Sequence, residues 1–495
     1  MKKKLALLCA SLVACSCFVG CGSSGGKMDI SNVVIPTYEE TDGLMITAYS
    51  GPTVENWSGV SRNVSTLTEE HMQKFAEAGF TGLLAVHEGG WSGGSTVYEK
   101  VRNTTKKSVE DALIALELCE KYDIKYYVRD WSFYELTHYR DELGDIDEMD
   151  FYAEAMNIMT DDELTENYFY SPAFAGNFGR DEPPASEFDN LRAQIELYYA
   201  ALEAKGVEGD FILNLLPDYA SSAHLGGALG SIMYEDYINL YFEKLAPVLG
   251  YISYDYYPFL GDNIKGSYLR TSYLANLELL ARKCKETDTE LRTFLQTGGD
   301  FTGLRDLTSI GDFRFQMYAN LAFGARQITY YEYGTFKSQE EGEFGLINLQ
   351  DGTYNYTYDL AKKVNHEAHA LEDAYLTFNY DGIMCYNALP NGKINASFRP
   401  IGQVMESHPR IADVKFSEDA IITSFKDADD NDAFMLMNYT DPYFNLDNEV
   451  TIKFNDAKAL LMYRLGEEVV VPLNSDGTYT FKLYPGEGRF IIPLK

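Results

Sequence analysis

The amino-acid sequence predicts an α/β fold in which a (β/α)8 TIM barrel is followed by a C-terminal antiparallel β-sandwich. Two observations support this prediction. Between residues 43 and 374, short apolar segments alternate eight times with helical segments. After residue 375, short strand-like segments are separated by turn residues, and no long helical pattern occurs.

The eight apolar segments are predicted to be parallel strands, because both of their faces are apolar, as expected for a sheet covered by helices. They span residues 43–51, 81–89, 125–133, 171–182, 209–218, 251–259, 290–299 and 326–334. Eight such units of this length are typical of a closed barrel. The alternative, an open doubly wound sheet, lacks a G-x-G-x-x-G motif after the first strand.

Helices are predicted where apolar residues recur every three or four positions. They span residues 68–79, 108–122, 186–206, 234–250, 267–286, 311–325 and 356–374. The segment between the third and fourth strands is acidic and contains only helical patches. The predicted barrel therefore occupies residues 41–374, and the β-sandwich occupies residues 375–495.

The N-terminus has the pattern of an export signal. Lysines at positions 2–4 precede an apolar run, residues 5–19, that is too short to span a membrane. The sequence FVGC that ends at Cys21 resembles the lipobox of bacterial lipoproteins, in which this cysteine is lipidated. The resemblance implies a signal peptide at residues 1–20, a tether at residues 21–40 and an extracytoplasmic protein anchored in the bacterial membrane. An ordinary cleaved signal peptide is the alternative.

The composition argues against several classes of partner and cofactor. The formal net charge of −34 disfavours binding to a phosphate backbone, so nucleic acid is not an expected partner. After Cys21 only Cys119, Cys284 and Cys385 remain, and their number and spacing suit neither a disulfide framework nor a zinc site. No metal or organic cofactor is implied.

Polar side chains stand at the C-terminal ends of the predicted strands, where a barrel builds its active site. In strand order they are His87 and Glu88, Asp130 and Trp131, Asp181 and Glu182, Asn214, Asp255 with Tyr256 and Tyr257, Gln296, and Glu332 with Tyr333. Such charges against apolar strand interiors predict a polar pocket on one mouth of the barrel.

The sequence GRDEPP directs the carboxyl group of Glu182 towards this mouth. The alternative is that Asp181 or Glu182 only caps the following helix, but Ser186 is a better N-cap. We therefore expect Glu182 to be functional, with Arg180 and Asp181 pairing to orient it.

These motifs resemble those of the clan A glycoside hydrolases, in particular the family 42 β-galactosidase-like barrels. The resemblance rests on GRDEPP, on SYDYYPF (253–259), on GARQITYYEYG (324–334) and on PGEGRF (485–490). It implies that Glu182 is the general acid/base of a glycosidase with a β-galactoside-like substrate. The family nucleophile is a Glu after strand seven, and this chain has Gln296 there instead.

Glycoside hydrolysis normally needs two carboxyl groups. Asp255 and Glu332 are the main candidates for the partner of Glu182, as nucleophile or base, and the sequence does not choose between them. Sugar hydroxyls would be bound by Glu88, His87, Asp130, Asp181, Asn214 and Gln296, and sugar rings would stack on Trp91, Trp131, Tyr256, Tyr257 and Tyr333. The expected partner is an extracellular oligo- or polysaccharide.

Two other functions remain open at this point. A carbohydrate-binding protein could have kept the barrel and lost the chemistry, as Gln296 suggests. A polysaccharide lyase would use the same mouth, but it would need a basic groove that this acidic chain does not predict.

Overall fold

The computed structural model describes residues 26–55, 63–84, 94–129, 148–262, 266–299, 303–335, 345–387 and 396–495. Within them, strands β1 to β12 are, in order, Met45–Tyr49, Gly82–Leu84, Lys125–Val128, Phe174–Asp181, Asp210–Asn214, Tyr251–Tyr254, Phe259–Asp262, Gly266–Leu269, Glu290–Gln296, Ala325–Tyr331, Gly334–Thr335 and Ile347–Asn348. Strands β13 to β21 are Asn379–Tyr386, Ile411–Phe416, Ala420–Lys426, Asp432–Asn438, Asn448–Phe454, Ala459–Arg464, Glu467–Pro472, Thr478–Leu483 and Gly488–Leu494.

Helices α1 to α12 are, in order, Glu69–Glu77, Val97–Tyr122, Glu148–Met159, Asp162–Thr165, Phe188–Lys205, Ser222–Gly226, Tyr234–Lys244, Ala246–Leu249, Tyr273–Thr287, Ile310–Ala322, Tyr356–His369 and Glu372–Leu376. Each predicted barrel strand and each predicted helix overlaps one of these elements. The alternation of strands and helices is therefore confirmed.

Eight parallel strands form one sheet in the order β5-β4-β3-β2-β1-β10-β9-β6. A parallel bridge between Leu215 and Tyr254 joins its two outer strands, β5 and β6. There the backbone N–H of Leu215 donates to the carbonyl of Ser253 at 2.9 Å. The sheet is thus the TIM-like barrel that the sequence predicts, and the contact between β5 and β6 is its seam.

The side chain of Tyr251 supplies hydrogen bonds along this seam. Its hydroxyl group accepts from the backbone N–H of Leu213 at 3.0 Å and donates to the carbonyl of Phe211 at 2.5 Å. Tyr251 lies on β6 and both partners lie on β5, so one side chain satisfies backbone groups that a regular ladder would otherwise pair.

The glycine spacing of β4 reflects its close approach to β5. A Cβ atom on Gly176 would lie 2.1 Å from the carbonyl oxygen of Asp210, and one on Gly179 would lie 2.2 Å from the ring of Phe211. Larger residues would separate the two strands that carry Asp181 and Asn214.

Several helix boundaries differ from the prediction, including that of the predicted helix at 356–374, which is divided between His369 and Glu372. The predicted helix at 267–286 begins only at Tyr273, because β7 and β8 form an antiparallel hairpin from Phe259 to Leu269. The predicted helix at 108–122 begins earlier, at Val97, where the hydroxyl group of Thr96 caps it by accepting from Glu99 N–H. The predicted helix at 234–250 is interrupted at Leu245, and its second part has a proline in the first turn.

The C-terminal part contains two antiparallel sheets. Their strand orders are β13-β15-β16-β21-β18-β19 and β14-β17-β20. Side chains of both sheets form one buried cluster, which includes Leu436 of the first sheet and Ile452 of the second. The antiparallel architecture of this part is confirmed.

Helix α10 lies between the barrel and the six-stranded sheet. Its residues from Gly311 to Ala322 are all buried. Phe313 stacks near Tyr330 of β10, with ring centroids 6.4 Å apart, while Phe315 packs against Tyr439 at 5.0 Å. Barrel and C-terminal sheets therefore share one hydrophobic core.

Within the described residues, none of the helices combines the length and apolarity that crossing a bilayer requires. Cys21 and the predicted signal peptide lie outside this part of the chain.

Candidate active site

Glu182 is held at the mouth by its backbone. It follows the last residue of β4 and has a left-handed φ of 45°. Its N–H donates to the carbonyl of Asn214 at 2.8 Å, and the carbonyl of the next residue, Pro183, accepts from the hydroxyl group of Tyr237 at 2.8 Å. A sharp turn fixed on both sides thus directs this carboxyl group away from the strand.

The side chain of Glu182 lies at hydrogen-bonding distance from Asp255, which follows β6. Asn214, at the end of the intervening strand β5, donates from Nδ2 to Asp255 Oδ1 at 3.0 Å and to Asp181 Oδ1 at 3.4 Å. The hydroxyl group of Ser253 donates to Asn214 Oδ1 at 3.0 Å, which orients the amide. We call Asp181, Glu182, Asn214 and Asp255 the carboxyl cluster.

The pKa values of all three acids in the cluster are raised. Burial is the main cause of the raised pKa of Asp255, which is 7% exposed. The charges of Glu182 and Asp181 raise this pKa further. Burial and the charge of Asp181 raise the pKa of Glu182. Burial raises the pKa of Asp181, against the lowering effects of Asn214, Arg180 and Arg129. Carboxyl groups in contact in such surroundings share a proton, because neighbouring like charges are unfavourable.

The predicted pairing of Arg180 with the Asp181 carboxylate is wrong. Nε and Nη2 of Arg180 donate to Glu187, at 3.0 and 3.2 Å, and Nη1 donates to the backbone carbonyl of Asp181. Ser186 does not cap the helix either; its hydroxyl group accepts from Ala228 N–H at 3.2 Å. Glu187, which directly precedes α5, thus holds the arginine in a bidentate geometry.

Aromatic rings line the mouth beside the cluster. The ring of Tyr331 lies 5.4 Å from that of Tyr49 and 5.4 Å from that of Tyr257. Tyr331 is 39% exposed, so this row presents an accessible aromatic surface. The charge of Asp255 contributes to raising the pKa of Tyr257, which places that ring close to the carboxyl cluster.

Glu332 lies across the barrel from Glu182, because four strand steps separate β10 from β4 in either direction. Its backbone is fixed by Thr297, whose hydroxyl group accepts from Glu332 N–H at 3.0 Å and donates to its carbonyl at 2.8 Å. The residue is partly buried at the same end of the barrel as the carboxyl cluster.

Three other predicted residues are buried and engaged by other partners. Gln296 is buried and bonds to backbone groups of Phe259, Gly298 and Arg305. Tyr333 is fully buried against Phe75 and Phe80, at 5.1 and 5.5 Å between centroids. The Tyr256 hydroxyl group bonds to Ser272 Oγ at 2.6 Å. None of these hydrogen bonds and ring contacts is made with a residue of the carboxyl cluster.

The sequence reading missed a second group beside the cluster. Arg270 stacks on the ring of Tyr219 at 3.8 Å and donates to the carbonyl of Tyr257 at 3.0 Å. The charge of Asp255 contributes to raising the pKa of Tyr219. Tyr219 belongs to the motif LPDYA (216–220), which lies beyond the end of β5. The sequence-based candidate was taken from the strand end itself, which is Asn214.

The remaining predicted residues lie outside the described part of the chain. They are His87, Glu88, Trp91, Asp130 and Trp131.

No protein-family profile matches the sequence, and no curated protein matches it either. Among solved structures, the chain is similar to a catalytic mutant of Gan42B, a GH42 β-galactosidase from G. stearothermophilus. The TM-score is 0.51 at 8% identity, over 93% of this chain and 99% of that chain.

Two other structures align less closely. A GH51 arabinofuranosidase from Xanthomonas axonopodis pv. citri gives a TM-score of 0.43 at 9% identity, over 90% of this chain and 93% of that one. A β-galactosidase from the psychrophilic Marinomonas ef1 gives 0.44 at 13% identity, over 66% of this chain and 60% of that one. At these identities the likeness concerns the fold, and the chain shares the TIM-barrel fold of the GH42 β-galactosidase.

Proposed function

We propose that the protein is a glycoside hydrolase that cleaves an extracellular oligo- or polysaccharide at the mouth of its barrel, residues 41–374, which precedes a β-sandwich at residues 375–495. The observation that carries this proposal is the carboxyl cluster, in which Glu182 and Asp255 lie in contact and their pKa values are raised. A carboxyl group that keeps its proton near neutral pH can protonate a glycosidic oxygen.

Within the cluster, Glu182 is the general acid. It is more exposed than Asp255, which is buried behind it, so a substrate in the mouth meets Glu182 first. Asp255 shares the proton, and Asn214 holds Asp255 and Asp181 in place. The proton moves from Glu182 to the leaving oxygen as the bond from that oxygen to the anomeric carbon breaks.

The second catalytic carboxylate stands elsewhere on the ring. Two carboxyl groups that flank a glycosidic bond are about 5 Å apart in retaining enzymes and roughly 6.5–9.5 Å apart in inverting ones. Glu182 and Asp255 are in hydrogen-bonding contact, so no sugar fits between them. Among the described strand-end residues, Glu332 lies at the same end of the barrel, four strand steps from Glu182, and we assign it the role of nucleophile or base.

The first test is hydrolysis of a panel of aryl glycosides, including a β-galactoside. We expect Glu182→Gln to lower kcat by at least about 100-fold, because general acid catalysis contributes roughly 10²–10⁴-fold. Glu203→Gln, on the exposed face of α5, is the matched control and should behave like wild type. Equal activity of Glu182→Gln and wild type would contradict the assignment, and an unsaturated product absorbing ultraviolet light would indicate a lyase.

The role of Glu332 has a separate test. If it is a nucleophile, azide should restore turnover to a Glu332→Gly variant and give a glycosyl azide of inverted anomeric configuration, because the small anion enters the space that the missing side chain leaves. If it is a base that activates water, the wild type should release the inverted sugar directly. Azide rescue of Asp255→Gly instead would reverse the assignment.

A non-catalytic carbohydrate-binding protein is the second candidate. Gln296 favours it, because this residue occupies the position where the resembled family has its nucleophile, and its side chain is fully engaged by backbone groups. Sugar binding that is equal in wild type and Glu182→Gln, without turnover of any glycoside, would support this candidate.

We also propose that the chain is anchored in the bacterial membrane through a lipid on Cys21. The support is the sequence alone, an apolar signal segment that ends in FVGC. We expect detergent to be needed to extract the protein from membranes, and Cys21→Ser to release it in soluble form. A Cys21→Ser variant that stays membrane-bound would exclude this anchor.

A further inference from the structure

A cluster of exposed aromatic side chains lies on the C-terminal part of the chain. Tyr443 is 60% exposed, Phe444 is 58% exposed and Tyr484 is 44% exposed. The rings of Tyr443 and Phe444 stand almost perpendicular, with centroids 5.6 Å apart. We call these three residues the aromatic platform.

The platform is held rigidly. Asp441 accepts from the backbone N–H of Tyr443 at 3.0 Å and caps the short turn Pro442–Phe444. Asn438 Nδ2 donates to the carbonyls of Leu446 and Tyr484, at 2.9 and 3.1 Å, and so ties the two turns side by side. Preformed aromatic surfaces lose little conformational entropy on binding.

Arg305 connects the platform to the barrel mouth. It donates to Asp441 Oδ1 at 2.8 Å, and its guanidinium lies 4.2 Å from the ring of Phe259 and 5.9 Å from that of Tyr443. Phe259 follows Asp255 by four residues, and the carbonyl of Arg305 accepts from Gln296. The platform therefore adjoins the loops after β6 and β9 at the same end of the barrel as the carboxyl cluster.

On its other side the platform continues into a groove of about 500 Å³. Its lining combines partly exposed rings with charged side chains, namely Tyr479, Tyr484, Lys482, Arg464 and Glu467, whereas Phe481 and Arg489 lie buried at its base. Rings pack against the apolar faces of pyranoses, and charged groups form hydrogen bonds with their hydroxyl groups. Rings and polar groups side by side suit a sugar chain better than a continuous apolar partner.

The charge of the protein argues against the other occupants. With a formal net charge of −34, two copies repel each other, and so do the protein and an anionic bilayer. A neutral polysaccharide carries no such penalty.

We propose that the aromatic platform and the groove form a second carbohydrate-binding site, which holds the part of a polysaccharide chain that extends from the barrel mouth. This inference rests on the proposed function, because it assumes that the substrate is a polymer. The site would favour long chains over short ones by raising their effective concentration at the mouth.

The test separates this site from catalysis by measuring binding in a Glu182→Gln background. Native affinity gels containing soluble galactan, arabinogalactan, arabinoxylan or mixed-linkage β-glucan give the dissociation constants. We expect Tyr443→Ala/Phe444→Ala to raise the dissociation constant for the bound polymer about tenfold or more, the usual effect of losing aromatic anchors. The control is Tyr170→Ala, because Tyr170 is also exposed but precedes β4, at the opposite end of the barrel.

Several results would overturn the inference. The first is that none of the polysaccharides retards the Glu182→Gln parent, and the second is that they retard the parent and the double variant equally. The third is that Tyr170→Ala weakens binding as much as the double variant does. A dimer that the double variant dissociates, or vesicle binding that it abolishes, would assign the platform to self-association or to lipid. Turnover of aryl glycosides by wild type tests the proposed function independently of these outcomes.

Discussion

Among the causes that raise the pKa values in the carboxyl cluster, the charge of Asp181 can be removed with the least change in the shape of the site. It raises the pKa values of Glu182 and Asp255, while Asn214 holds it in place with a hydrogen bond of 3.4 Å. An asparagine has nearly the same shape and keeps an oxygen for this bond. The charge of Asp181 thus adds to the effect of burial in extending to higher pH the range over which the proposed acid keeps its proton.

We expect Asp181→Asn to move the alkaline limb of the kcat profile to lower pH. Without the neighbouring negative charge, the raised pKa of Glu182 falls towards its ordinary value, so the acid loses its proton at lower pH. The measurement is kcat against pH on the best aryl glycoside. An unchanged or upward-shifted alkaline limb would show that Glu182 is not the titrating acid.

The same pKa shifts affect stability. Acids whose folded pKa is raised bind more protons in the folded state between their ordinary and raised pKa values, so stability falls as the pH rises through this window. The cluster therefore destabilises the fold at neutral pH, as functional sites commonly do.

Individual residues of the site were partly predictable. Strand ends identified Glu182, Asn214 and Asp255, because parallel strands bring their C-terminal ends to one mouth. Contacts between them were not predictable, since they depend on where each side chain turns. Tyr256 and Tyr257 are adjacent in sequence, yet one packs outward against Tyr273 and the other lies beside Tyr331.

Among the elements, β5 and β6 form the least regular joint of the barrel. Backbone groups of β5 are satisfied there by the hydroxyl group of Tyr251. The Asn214–Asp255 hydrogen bond at the mouth reinforces the same joint. Barrel closure and site geometry therefore depend on each other at this position.

We expect Tyr251→Phe to lower the free energy of unfolding by about 1–3 kcal/mol, because it leaves the buried N–H of Leu213 and carbonyl of Phe211 without this partner. Urea denaturation followed by tryptophan fluorescence measures the change. Tyr170→Phe loses only an exposed hydrogen bond, to Lys205, and should cost much less. Similar losses for the two variants would refute the seam's dependence on this hydroxyl group.

Element types were more predictable than element ends. Apolar runs located all eight barrel strands, whereas the β7–β8 hairpin was taken partly for helix, because its second strand runs into the helical pattern of α9. In helix α10, apolar residues are distributed around the helix, and even its polar residues Arg314, Gln316 and Asn320 are buried, as in a helix covered on both faces. The barrel covers one face of α10, and the six-stranded sheet covers the other.

At the scale of the whole molecule, one core runs from the barrel into the C-terminal sheets. Phe490 of β21 contacts Tyr375, Phe378 and Phe425, with ring centroids 5.7–5.8 Å apart. The last helix, α12, ends at Leu376 and the first antiparallel strand, β13, begins at Asn379, and apolar packing crosses this junction.

We therefore expect the protein to unfold in a single calorimetric transition, with a van't Hoff enthalpy close to the calorimetric one. Neither part can lose its structure without exposing the core that it shares with the other. Scanning calorimetry at several scan rates makes the measurement. Two resolved transitions would mean that the parts fold independently.

The TIM-like barrel and the antiparallel character of the C-terminal sheets were predictable because they follow from the order and polarity of segments. The packing of the barrel against the C-terminal sheets was not predictable, because it depends on the shapes of the two surfaces. The spacing of apolar residues in the sequence does not encode those shapes.

The left-handed backbone at Glu182 has a consequence for how this sequence could change over generations. A side chain at such a φ costs roughly 1–2 kcal/mol that glycine would not incur. A population of variants selected for heat resistance alone would therefore be expected to replace this glutamate, and only selection that also demands the proposed function would retain it.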